Sequence, residues 1–140
     1  MNIAISTTLE DIDFDDAVEK TKAALSEQGF GVLTEIDVQA TMQEKLGEQM
    51  ERYLILGACN PTLAHRAVGV MRQIGLLLPC NVVVRADMSS PESAAVIVEA
   101  MNPQIMVEVT GEHALEDVAG EAAVKLRAAI AALGGRPTSD

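Results

Sequence analysis

Apolar and polar positions alternate from Asn2 to Thr8, with Ile3 and Ile5 on one side and Asn2, Ala4 and Ser6 on the other. That is the two-residue period of a strand with one lightly covered face. The period then lengthens. Phe14, Ala17, Val18, Thr21, Ala24 and Leu25 recur at helical spacing, with Asp11 and Asp13 as possible caps and Gly29 as the stop. Alternation returns from Gly31 to Val38, and a short helix is expected from Asp37 to Leu46, ended by Gly47. Tyr53 to Ala58 is apolar without alternation, the pattern of a strand covered on both faces. Asn60 and Pro61 suit a helix start, and Leu63, Ala67, Val70, Met71 and Ile74 carry its stripe to Gly75 and Pro79. Asn81 to Arg85 reads as a second buried strand. The turn-rich ADMSSPES predicts a hairpin returning along Ser93 to Met101. Gln104 to Val109 fits a helix by its position, and Leu115, Val118, Ala122, Leu126, Ala129, Ile130 and Leu133 predict a long one over His113 to Leu133.

The elements run β α β (α) β α β β α. They predict an α+β fold: one domain over residues 1–135, a mixed, mainly antiparallel sheet of about five strands with helices packed on it, and a flexible tail at 136–140. The strand–helix–strand unit from Tyr53 to Arg85 is expected to place its two strands parallel. Cys59 would then end one strand and Cys80 begin the next. Six strand residues span roughly 20 Å, whereas a disulfide needs Cα atoms within ~7 Å, so no bond between them is expected.

Composition narrows the function classes. The 140 residues carry a net charge of −11, which opposes binding to nucleic acid or to anionic membranes. Hydrophobic residues make up 49% and aromatic ones 2%, so the core is aliphatic. Two cysteines are too few for a disulfide scaffold, and the acidic N-terminus lacks the basic and apolar regions of a signal peptide. A cytoplasmic setting is expected. No phosphate loop, G-x-S-x-G, H-E-x-x-H or G-x-G-x-x-G pattern is present.

Three blocks carry a resemblance. GFGVLTEIDVQATMQEKLG (Gly29 to Gly47), YLILGACNPTLAHRA (Tyr53 to Ala67) and IGLLLPCNVVV (Ile74 to Val84) are together similar to the family called domain of unknown function 302. The resemblance implies a small α+β protein and a homodimer. It supplies no reaction.

The candidate chemistry centres on Cys59, at the handover from strand to helix. The free N–H groups and dipole of a helix N-terminus favour a thiolate. His65 lies about one turn further on, and with Cys59 forms a candidate ligand pair for a soft transition metal or haem iron. Asn60 completes the turn. Glu35 can line a pocket or simply face water on its strand. Three functions remain open. The first is a homodimer binding a small ligand, soft metal or haem near Cys59-Asn60-Pro61. The second is a thiol-dependent redox enzyme or sensor using Cys59. The third is an interaction module without a ligand, with Cys59 and Cys80 as inert packing.

Overall fold

The computed structural model describes residues 2–89 and 94–137. Five strands form one sheet: β1 (Ala4–Leu9), β2 (Gly31–Asp37), β3 (Tyr53–Cys59), β4 (Cys80–Ala86) and β5 (Val96–Met101). Their spatial order is β1-β5-β4-β3-β2, and every neighbouring pair is antiparallel. The α-helices among the described residues are α1 (Phe14–Glu27), α2 (Val38–Leu46), α3 (Pro61–Val70), α4 (Ile105–Thr110) and α5 (Glu116–Ala132). The expected α+β architecture and element order hold. The last helix is preceded by a 3-10 turn at His113–Leu115. The expected hairpin after β4 falls partly on residues 90–93, and the end of the expected tail on 138–140, both outside the described residues.

The parallel pairing of β3 and β4 is overturned. Ala58 stands opposite Cys80, and the ladder runs back to Tyr53 opposite Arg85. The helical stripe does not continue to Ile74. Met71 is extended, with φ −153° and ψ 110°, and a separate 3-10 segment follows at Arg72–Leu77. The two segments pack together, so the chain goes out along one and returns along the other. It re-enters the sheet at the end it left. The ~20 Å separation of the cysteines falls with the parallel pairing, because Cys59 is next to the residue that faces Cys80.

One face of the sheet carries the helices. Leu56, Ala58, Cys80, Val82, Val84, Val96, Val98 and Ala100 meet Ala17, Val18 and Leu25 of α1 and Leu126, Ala129 and Ile130 of α5. A second cluster beside it joins Leu63 and Ala67 of α3, Ile74, Met106 of α4, and Leu115, Val118 and Ala122. Burying these aliphatic side chains is the main driving force for the fold, at ~25 cal/mol per Å² of apolar surface removed from water. The opposite face is barer. There Ile36, Ile55 and Val83 line up across three strands. None of the nine residues of α2 is buried.

Candidate functional site

The Cys59–Asn60–Pro61 turn sits where the two core clusters meet. Asn60 has the extended backbone of a cap, and its Oδ1 accepts a hydrogen bond from the Leu63 N–H at 3.2 Å. Its Nδ2 donates to the Gln28 carbonyl at 3.4 Å, tying the end of α1 to the start of α3. Pro61 fills the first helical position, where its missing N–H has no partner to lose.

Beside this turn lies a cleft. Its walls are Phe30, Ala58, Leu63, Ala67, Met106, Val118 and Ala122, and half-buried Cys59, Asn60, Ala64, Leu78 and Pro79 surround its mouth. Its cavity volume is about 30 Å³, and it opens to solvent at the mouth. The lining is almost wholly apolar. Such a slot leaves water without hydrogen-bond partners and favours a slender hydrocarbon or thioether group.

Both cysteines border this cleft and both are free thiols. Cys80 is buried beside Ala58, and burial pushes its thiol up to about 11, with the neighbouring Cys59 adding to the effect. It is a protonated, apolar-like group at neutral pH. No disulfide joins the two.

His65 does not join Cys59 in lining the cleft. Leu63 and Ala67 face the core, and a residue two positions on from Leu63 lies about 200° around a helix. His65 is accordingly exposed on the outer side of α3. Among the described residues, no three His, Cys, Asp or Glu side chains gather into a metal-binding group. The residues present do not fit haem either, since the cleft is too narrow for a flat macrocycle. Glu35 lies on the edge strand, away from the cleft, and accepts a hydrogen bond from Lys22 Nζ at 2.9 Å. Sequence reading missed Met106, Val118 and Ala122 as cleft residues. Their signal was a core stripe, which does not say where packing will be incomplete.

The family model described as "Domain of unknown function DUF302" matches residues 5–133. The chain belongs to the DUF302 family. The crystal structure of an uncharacterized conserved DUF302 protein from Bacillus stearothermophilus is similar to it, with a TM-score of 0.78 and 25% sequence identity, covering 90% of this chain and 95% of that one. No functionally curated protein matches. The DUF302 match spans the Cys59–Pro61 turn and all the cleft residues, so the cleft is built from family sequence and not from an appended segment. Among the described residues, no helix is long and apolar enough to cross a membrane.

Proposed function

We propose that this DUF302 protein is a small-ligand binding protein whose cleft, between the ends of β3 and β4 and helices α3 and α5, takes a slender apolar chain or thioether. One observation carries the reading: an apolar slot stays unfilled where two close-packed clusters meet, although interiors normally leave few voids. Its mouth lies between the Asn60 cap and the half-buried Cys59 thiol, which offers a soft contact to an entering group. Two free thiols agree with a reducing, cytoplasmic setting.

The protein works, on this reading, as a homodimer. An isolated helix of nine residues is marginal in water, yet α2 forms with no buried residue. Leu33 and Leu46, exposed at 67% and 68%, and Ile36 at 49% lie on or beside the same edge. A second copy covering β2 and α2 would supply the missing apolar contacts.

Titration with 1-hexanol, followed by amide chemical shifts and thermal unfolding, tests the cleft. Saturable shifts at Leu63, Ala67 and Ala122 are expected, with stabilisation that Ala64→Leu at the mouth removes. No saturation, or saturation unchanged in Ala64→Leu, overturns the reading. Solution mass tests the pairing: a monomer at micromolar concentration overturns it.

A further inference from the structure

Strand register assembles a second cavity on the face of the sheet opposite the core helices. Arg85 of β4 stands opposite Ile97 of β5, Ile97 opposite Thr8 of β1, and Thr8 opposite Arg136. Partners in an antiparallel ladder share a face, so these four residues form one row with an arginine at each end. Asp87 lies two residues beyond Arg85 and keeps to the same side. With Ser89, these residues border about 220 Å³ of space. That is below the ~300–1,000 Å³ of drug-sized pockets and suits a molecule of a few heavy atoms.

The floor and the walls differ in character. Ile97 is 5% exposed and makes the floor apolar. The polar groups are only partly committed. Arg85 donates from Nε to Glu99 at 2.7 Å, and Arg136 donates from Nε to Glu10. The terminal nitrogens of Arg85 make no hydrogen bond among the described residues, and those of Arg136 reach only the Pro137 carbonyl, at 3.4 Å. Asp87 Oδ1 accepts from the Ser89 amide at 2.9 Å and from its hydroxyl at 2.7 Å. Among the described residues Asp87 has no ion-pair partner within 4.0 Å. Those Ser89 hydrogen bonds, helped by the nearby arginines, hold it ionised.

An anion alone would meet the Asp87 carboxylate, and a cation alone would meet two guanidinium groups. A molecule carrying both charges satisfies all three. We propose that this cavity binds a small zwitterion, an α-amino acid with an apolar side chain. Its carboxylate sits on the terminal nitrogens of Arg85 and Arg136, its ammonium group on Asp87 and its side chain on Ile97. Guanidinium–carboxylate pairing of this kind gives both strength and orientation.

Calorimetric titration of the whole protein with L-valine, isovalerate and isobutylamine tests the site. The second probe lacks the amine and the third lacks the carboxylate. Saturable valine binding is expected, with each truncated probe weaker by at least about tenfold, because each forfeits one charge-assisted contact. Arg136→Gln keeps the backbone bridge to Thr8, and it and Asp87→Asn should each weaken valine by a similar factor at unchanged circular dichroism. Ala64→Leu in the cleft should leave valine binding unchanged, which separates this site from the first. No saturable valine binding in the millimolar range overturns the proposal. So does isovalerate or isobutylamine binding as tightly as valine, which would mean a plain anion or cation site. Valine binding indifferent to both Arg136→Gln and Asp87→Asn overturns it as well.

Discussion

Ala58 and Cys80 face each other across the β3–β4 ladder, and the Cys80 thiol is 6% exposed beneath the helices. That placement makes Cys80 a pH-dependent support of the fold. Its folded pKa of about 11 exceeds the ordinary value of 9.0. A raised pKa means that the folded state holds its proton more tightly, so the contribution is full below pH 9 and is lost as pH rises towards 11. At 1.36 kcal/mol per pH unit, the loss is about 2–3 kcal/mol. Denaturant midpoints from pH 8 to 11 should fall in the wild type, and Cys80→Ala should remove that part of the slope. Equal slopes would contradict it.

The two thiols should also react in order. Cys59 is half-buried at the cleft mouth and Cys80 is enclosed. Iodoacetamide at pH 8 should modify Cys59 first, with Cys80 reacting only on the timescale of unfolding. Peptide mass mapping reads the order, and simultaneous modification would refute it.

The Asn60 cap joins two helices through one side chain. Asn60→Ala removes the acceptor for the Leu63 N–H and the donor to Gln28. Loss of a cap costs about 1 kcal/mol, and a modest further cost is expected from the second bond. Chemical denaturation should give about 1–2 kcal/mol of destabilisation. Glu35→Gln, which touches only an exposed pair with Lys22 on the edge strand, should change stability by less than about 1 kcal/mol and leave hexanol binding intact.

Gly135 is fixed by crowding. A Cβ there would run into the Thr7 hydroxyl, the Thr8 carbonyl and Leu9. Gly135→Ala should therefore push Arg136 away from Thr8, costing about 1–3 kcal/mol and weakening valine binding together with stability. Unchanged melting with unchanged valine affinity would show that this contact is slack.

Most of the fold was legible because its elements keep their period. The alternation in β1 and the seam of α5 each specify the element's type, while the ends shift: β1 begins at Ala4 and leaves Ile3 70% exposed, and α5 begins at Glu116. Direction failed at one place. Met71 fits the helical stripe of α3 by residue type, so the pattern runs through a position where the backbone is extended. A continuous helix would have carried the chain back across the sheet, and two short segments return it to where it started. The site was half legible for a related reason. Asn60 and Cys59 announce a capped turn, whereas periodicity assigns no outward angle to His65 until Leu63 is known to point inward. Arg136 was expected to be part of a flexible tail. A single residue carries no strand period, and its paired hydrogen bonds with Thr8, at 2.9 and 3.0 Å, come from the long-range closure of the chain.

That closure also limits how such molecules can stack. Of the sheet's two borders, β1 is paired near its Leu9 end with Arg136, while β2 has no outer strand partner among the described residues. A further strand adding along β1 would first have to strip Arg136 from Thr8.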